Sequence, residues 1–192
     1  MEISQFLDVL HIAERLKNNT RHSWTSSNRH ESVAEHSWRT AIMAYFVKDE
    51  FPEADIGKVA LMALLHDMGE AFTGDIPAFV RTQADDDREK LQLQDWIDSL
   101  PAPYDTELTE LFHEIYQGET LEARIFWALE KMEVLVQHNE SDIATWVPKE
   151  YTMNLEHGSQ QVAFSAYMRQ LKAVINQETT RKLMDSGIIG GF

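Results

Sequence analysis

The stretch that decides the fold is ALLHDMGEAFTGDIP, residues 63–77. It continues a strongly apolar segment, predicted to be a helix over about 56–68, and this composition indicates burial on most sides. The glycines and the proline that follow favour turns. His66 and Asp67 are therefore drawn toward the core, where an aspartate is rarely found without a partner. A metal site is one interpretation; in the other, Asp67 caps the next turn and His66 bonds a carbonyl.

A second histidine lies upstream in VAEHS, residues 33–37. Taken alone, His36 would more often be a packed core residue than a ligand. Together with His66 and Asp67, from another predicted helix, it offers two imidazoles and a carboxylate. That donor set suits a divalent transition metal such as Mn, Co, Fe, Zn or Ni. Glu70 follows on the same side as the His-Asp pair if the segment is helical, where a carboxylate is suited to act as a general base.

Composition limits the class of protein. The 192 residues fit one domain over 1–192, and 43% hydrophobic residues suffice for a core. The net charge of −15 argues against a nucleic acid as ligand. The sequence contains no cysteine, no apolar stretch of about 18 residues to span a membrane and no basic secretory leader. We therefore expect a cytoplasmic location, with neither a nucleic acid nor a membrane as partner.

Helical periodicity dominates the chain, which predicts an all-α bundle of about six to eight helices. Residues 18–32 are polar and predict an irregular loop that ends at Ser32, an N-cap with Glu35 in a capping box. No segment alternates with the period of a strand. A frayed tail is expected at GIIGGF. The predicted helices are 3–17, 33–50, 56–68, 84–100, 105–117, 120–140, 155–177 and 178–186.

Four pieces of this chain resemble the HD-domain metal-dependent phosphohydrolases, and among them most closely the HD-domain 5′-deoxynucleotidases. The pieces are Arg21, VAEHS (33–37), ALLHDMGEAFTGDIP (63–77) and ETLEARIFWALEKME (119–133). They span a matching core of roughly residues 20–135, to which the C-terminal helices at about 155–186 are added. The resemblance implies a 5′-nucleotidase type of phosphomonoesterase, in which a metal-bound water attacks the 5′-phosphate of a (deoxy)nucleoside monophosphate. It also implies a homodimer.

The resemblance also implies a ligand set. His36, His66 and Asp67 match three metal ligands of the family, and Glu130 stands where the family carries an aspartate as the fourth. Because glutamate is longer by one methylene, the site could shift, prefer another metal or bind it weakly.

Residues for catalysis and substrate binding follow by the same resemblance. Glu70 would orient the attacking water or take its proton, and Asp75 would contact water or the sugar hydroxyl. Arg21 would clamp the phosphate through its planar fork. His22 occupies a position where the family tends to carry tryptophan, which leaves the preference for deoxyribose open. Arg81 lies just past the GDIP turn, either facing the pocket or as a solvated helix charge.

Other functions stay open at this stage. The substitution at Glu130 is compatible with a binding or scaffold protein whose metal site has decayed. A phosphodiesterase would use the same constellation. An HD-type oxygenase with two irons needs further ligands, and the sequence offers no convincing set.

Overall fold

Helices form most of the structure, a computed structural model that describes residues 1–190. Eight of its helices have at least seven residues and α4 is a single turn, which confirms the predicted all-α fold. Within the described residues, the helices are α1 (Ile3–Asn18), α2 (Val33–Phe46), α3 (Ile56–Leu65), α4 (Glu70–Thr73), α5 (Gln83–Asp98), α6 (Tyr104–Gln117), α7 (Leu121–Glu140), α8 (Glu150–Glu156) and α9 (Ala166–Asp185).

The centre of the bundle is α7, which packs against α2 and α3 on one side and against α9 on another. Along α7 a run of large side chains has no exposed surface, and burial of such apolar area is the main force that favours folding. The residues of this run are Ile125, Phe126, Leu129, Met132 and Leu135. Since α2, α3 and α7 meet here, polar residues on their facing sides are brought together inside the core.

The predicted irregular loop before α2 is wrong, because part of it forms a β-hairpin. Strands β1 (Thr20–Trp24) and β2 (His30–Ser32) pair antiparallel. Asn28 adopts a positive φ of 60° in the connecting turn, a conformation that asparagine tolerates. The strands are too short for a clear alternation of polar and apolar residues, and contacts with the bundle stabilise them.

The start of α2 confirms the predicted cap. Glu35 donates its backbone N–H to Oγ of Ser32 at 3.2 Å, and its carboxylate accepts from the backbone N–H of Ser32 at 2.9 Å. The helix ends at Phe46, before the predicted residue 50, and a 3₁₀ turn, Lys48–Glu50, follows it.

The chain changes direction directly after α3. This helix ends at Leu65, so His66 and Asp67 lie in the turn that joins it to α4 rather than within a helix reaching 68. Gly74 then adopts φ 77°, a conformation that residues with a side chain rarely adopt, and so turns Asp75 back toward the bundle.

The prediction for the C-terminal region is wrong in its boundaries. Instead of helices at 155–177 and 178–186, the chain forms α8 and then one continuous α9. Gly158 sets the end of α8 with φ 75°, and a Cβ atom there would lie only 2.8 Å from Cβ of Lys131. The last two residues of the predicted tail, Gly191 and Phe192, lie outside the described residues. Within residues 1–190, no helix has both the length and the apolar character needed to cross a bilayer.

Candidate metal centre

Three side chains converge where α2 meets the turn after α3. A ligand atom of each of His36, His66 and Asp67 lies within 4.8 Å of the other two. Nε2 of His36, Nε2 of His66 and Oδ2 of Asp67 are buried and form no hydrogen bond to any other described residue. Nε2 of His66 and Oδ2 of Asp67 face each other at 3.1 Å. Buried polar atoms without partners are costly, and a cation would satisfy all three. The donor set of two imidazoles and a carboxylate therefore fits a divalent transition metal.

The opposite ring nitrogens hold both imidazoles in the required orientation. His36 is fully buried, and its Nδ1 donates to the Glu133 carboxylate. Nδ1 of His66 donates to the carbonyl oxygen of Ala63 at 2.9 Å. With Nδ1 occupied in each ring, Nε2 faces the centre, as in the histidine ligands of known metal sites.

Glu133, which the sequence reasoning missed, is the partner of the candidate ligand His36. It has no exposed surface, and its Oε1 accepts from Nε of Arg39 at 2.6 Å. Burial alone would raise its pKa, but the neighbouring His36 and Arg39 keep the pKa of Glu133 below its usual value. One signal in the sequence could have found it: Glu133 follows Glu130 by three residues, which places both on the same face of a helix.

Glu130 lies at the edge of this centre rather than within the group of three. Its Oε1 is 3.9 Å from Nε2 of His36, and its Oε2 forms an ion pair with Nζ of Lys131 at 2.8 Å. Although burial opposes ionisation, Lys131 and the two histidines lower the pKa of Glu130 to about 2. The side chain is thus an anion beside the centre, and its role as fourth ligand stays a prediction.

Glu70 begins α4 and is 3% exposed. Asn19, just before β1, donates its Nδ2 to the Glu70 carbonyl at 2.5 Å and so fixes the hairpin to this turn. Burial, together with the charges of Asp67 and Asp75, raises the pKa of Glu70 to about 10. A cation at the centre would oppose this effect and favour the carboxylate form.

Arg21, from β1, reaches the same centre. Its Nη1 is 3.5 Å from Oδ2 of Asp67, and its Nε is 3.5 Å from Oε2 of Glu31. Burial and the charge of Glu133 raise the pKa of Glu31, which the sequence reasoning also missed, to about 8. Despite burial, His66, His36 and Arg21 keep the pKa of Asp67 low. A fixed positive charge therefore stands next to the proposed ligands.

Comparisons with known proteins agree with this geometry. A profile of the HD domain matches residues 13–172. The chain belongs to the HD-domain family.

Named relatives and a solved structure resemble the chain over most of its length. It is 33% identical to 5′-deoxynucleotidase HDDC2 of Bos taurus over 138 residues. This match covers 70% of this chain and 66% of the relative. The Homo sapiens HDDC2 also matches at 33% over 138 residues, covering 70% and 67%. The chain thus spans about two thirds of the length of these relatives. A predicted metal-dependent phosphohydrolase from Magnetospirillum magnetotacticum MS-1 is similar in structure, with a TM-score of 0.78 and 28% identity, over 93% of this chain and 92% of that one.

A pocket opens beside the metal centre of this HD-domain protein. Arg21, Asp75 and Glu130 line it, and burial raises the pKa of Asp75. The hairpin, the segment after α4, α7 and α8 supply the rest of its wall. The additional lining residues include His22, Phe79, Lys131, Val134, His138, Glu150, Met153, Asn154 and His157.

The two remaining residues predicted to bind substrate differ in position. His22 lies in the pocket wall, with Nε2 3.3 Å from Oε1 of Glu150 and its ring edge-on to Phe79 at 5.2 Å. Arg81 is absent from the pocket wall, because its guanidinium binds Asp86 and Glu89, the latter at 2.6 Å. Its Nη1 approaches Oε1 of Glu70 at 3.9 Å, so Arg81 neighbours Glu70 and not the pocket.

Proposed function

We propose that this HD-domain protein is a metal-dependent phosphohydrolase that removes the 5′-phosphate of (deoxy)nucleoside monophosphates. The observation that carries this function is the convergence of three buried ligand atoms, on His36, His66 and Asp67, that form no hydrogen bond to a residue outside this group. Relatives named 5′-deoxynucleotidase and a neighbour described as a phosphohydrolase support the reaction and the substrate class. Glu130 is proposed as the fourth ligand because its carboxylate is ionised beside His36.

Each side chain around the centre has a separate role in the proposed reaction. A bound divalent cation would lower the pKa of a water and neutralise charge that develops on phosphorus. Arg21 is placed to bind the phosphate oxygens, since a guanidinium forms charge-assisted bonds to them. The Glu70 carboxylate accepts the proton of the attacking water as the water oxygen bonds to phosphorus and the P–O5′ bond breaks. The proton then passes to O5′, which leaves as the 5′-hydroxyl of the nucleoside. Asp75, in the same pocket, orients the water or the sugar.

A substrate screen tests the proposal. Purified protein supplied with Mn²⁺ or Co²⁺ is given nucleoside 5′-monophosphates, phosphodiesters and nucleoside triphosphates, and released phosphate or nucleoside is measured. We expect turnover of the monophosphates, with Asp67→Ala as the inactive control. Activity on diesters alone would refute the monophosphatase function, and product analysis identifies the sugar and the base.

A scaffold protein without catalysis is the second candidate, favoured by the contact between Glu130 and Lys131, which occupies one oxygen of the proposed ligand. Metal analysis of protein purified without chelator separates the two. A metal that binds only the native state at a hundredfold excess over Kd raises stability by about 2.7 kcal/mol. Absence of bound metal and of any thermal shift with Mn, Co, Zn, Fe or Ni would favour the scaffold.

We also infer that two copies pair through α1 and α2. These helices pack on each other, and each carries a stripe of large exposed apolar side chains at helical spacing. Contiguous exposed apolar surface is typical of interfaces. The stripes consist of Ile3, Phe6, Leu7 and Leu10 on α1 and of Trp38, Ile42, Tyr45 and Phe46 on α2.

Light scattering tests the homodimer. We expect about twice the chain mass of 22.2 kDa, and the monomer mass for a Phe6→Glu, Ile42→Glu double variant. Leu91→Glu, which changes a 62% exposed leucine on α5, is the control and should leave the mass unchanged. A parent protein that runs only as a monomer refutes this interface. A cytoplasmic location, and the absence of nucleic-acid and membrane partners, stay predictions from composition.

A further inference from the structure

The pocket beside the metal centre has a wall that the hydrolytic chemistry does not use. Helix α8 contributes no residue to the metal centre, yet Glu150, Met153 and Asn154 of α8 line the pocket. Apolar surface from Phe79 and Val134 accompanies them. The pocket therefore joins a charged region at Arg21 to a partly apolar region with an amide. That combination suits a ligand with a phosphate and a flat heterocycle.

Asn154 is the residue of α8 that brings an unpaired polar group to this wall. It is 1% exposed, and its Nδ2 has no hydrogen-bond partner within residues 1–190. The amide of Asn176, by contrast, donates its Nδ2 to the Leu155 carbonyl at 2.8 Å. Buried amide donors are nearly always paired in folded proteins, because an unpaired donor loses its bonds to water. An acceptor on a bound molecule would supply the missing partner.

The helix that carries Asn154 is held in place before any ligand arrives. Glu150, at the start of α8, accepts from the backbone N–H of Val147 at 2.7 Å and contacts Nε2 of His138 at 3.1 Å. Near the other end, Lys172 of α9 donates to the Leu155 carbonyl at 3.0 Å. Since both ends of this short helix are anchored, the backbone of Asn154 is already ordered, and only its side-chain rotamer is fixed when the amide forms a bond.

We propose that Asn154 binds the nucleobase of the substrate, by donating Nδ2–H to a carbonyl oxygen or ring nitrogen on the base. This inference rests on the proposed function, because it assigns the pocket to a nucleoside monophosphate. Arg21 binds the phosphate, and the Phe79 side of the pocket contacts the ring. Asn154 thus determines affinity for the base without touching the reacting atoms.

A pair of substrates isolates the contact with the base. The kcat and KM of Asn154→Leu, which keeps a similar volume without the amide, are measured with a nucleoside 5′-monophosphate and with 2-deoxyribose 5-phosphate, which lacks the base. We expect KM for the nucleotide to rise about three- to tenfold, the loss typical of one neutral hydrogen bond. The kcat and the KM for the sugar phosphate should stay unchanged. Thr152→Ala, on the exposed face of α8, is the matched control.

The outcomes separate this inference from the function on which it rests. An unchanged KM for the nucleotide, or an equal rise for both substrates, overturns the role of Asn154. If the parent hydrolyses no phosphomonoester, the proposed function fails, and calorimetry with the nucleoside monophosphate then decides the role of Asn154 by the same three- to tenfold criterion in Kd. If Asn154→Leu does not fold, Asn154→Asp, which keeps the shape and removes the donor, replaces it.

Discussion

Glu133 accepts a hydrogen bond from Nδ1 of His36 while neither side chain has exposed surface. This contact fixes the ring and raises the basicity of Nε2, the atom that faces the proposed metal. We expect Glu133→Gln to weaken metal affinity about 10- to 100-fold, the usual effect of losing such a partner, as measured by calorimetric titration with Mn²⁺ or Co²⁺. Glu140→Gln, which removes the charge of another carboxylate bound to Arg39 at a half-exposed position, is the control. An unchanged Kd in a folded Glu133→Gln protein contradicts the role.

Asp67 and Glu70 are expected to separate metal binding from turnover. Asp67→Ala removes an anionic ligand, so metal content and activity should be lost together. Glu70→Ala should retain the metal but lower kcat by about 10²–10⁴-fold, the range for a general base. Elemental analysis and phosphate release on the same preparations check both. A Glu70→Ala protein that turns over at the parent rate would remove Glu70 from the mechanism.

Glu130 is tested by shortening it. If Glu130 is a ligand, Glu130→Asp should keep the metal and Glu130→Ala should lower its affinity. If the parent site is decayed, Glu130→Asp should create metal binding that the parent lacks. Metal content and rate are measured for all three proteins. Should neither substitution change them, the fourth ligand is a different residue.

Arg21 and Arg81 both lie near Glu70, but only Arg21 lines the pocket, so the two substitutions should differ in their effect on substrate binding. Arg21 lines the pocket, so Arg21→Ala should raise KM by an amount equivalent to about 1.5–3 kcal/mol, the value of a hydrogen bond to a charged group. Arg81 is already bound to Asp86 and Glu89, so Arg81→Ala should leave KM near the parent value and mainly loosen α5. Steady-state kinetics and thermal melting distinguish the two effects. A raised KM for Arg81→Ala together with an unchanged KM for Arg21→Ala would show that Arg81, and not Arg21, binds the phosphate.

His157 gives the fold a dependence on pH. Burial and the charge of Lys131 lower the pKa of His157 from 6.5 to about 4. Between these values the unfolded chain binds more protons than the folded one, so stability rises with pH and is lost as pH falls from about 6.5 through 4. This group contributes about 3 kcal/mol at most, at 1.36 kcal/mol per pKa unit. Urea unfolding at pH 5 and pH 7 should show a smaller difference for His157→Gln than for the parent. An equal difference would contradict the shifted pKa.

Sequence patterns predicted the features that depend on local spacing. The apolar periodicity of α7 and the capping box at Ser32 gave the positions of two central helices. Two histidines and an aspartate in separate segments predicted a metal site, and the structure brings all three together. These predictions succeed because each rests on residues close in the chain or on the chemistry of the donors.

The remaining features depend on contacts between distant residues. The hairpin is stabilised by α7, where Gln137 donates to the Trp24 carbonyl at 2.6 Å. The short polar sequence of the hairpin does not indicate this distant partner. The end of α8 depends on how closely Gly158 approaches Lys131. Glu133 resembles any helix glutamate until α2 places His36 against it. The sequence left Arg81 either facing the pocket or as a solvated helix charge, because its carboxylate partners on α5, Asp86 and Glu89, could not be inferred from the pattern.

The two attachments of the hairpin set the cost of binding substrate. Asn19 fastens one end of β1 to the turn that carries Glu70, and Gln137 fastens the other end to the helix that carries Glu130 and Glu133. Arg21 is therefore part of a strand whose backbone is immobilised when the protein folds. An anion that enters the pocket meets a guanidinium whose main chain is already ordered. Binding of the anion therefore does not include the entropic cost of ordering a loop.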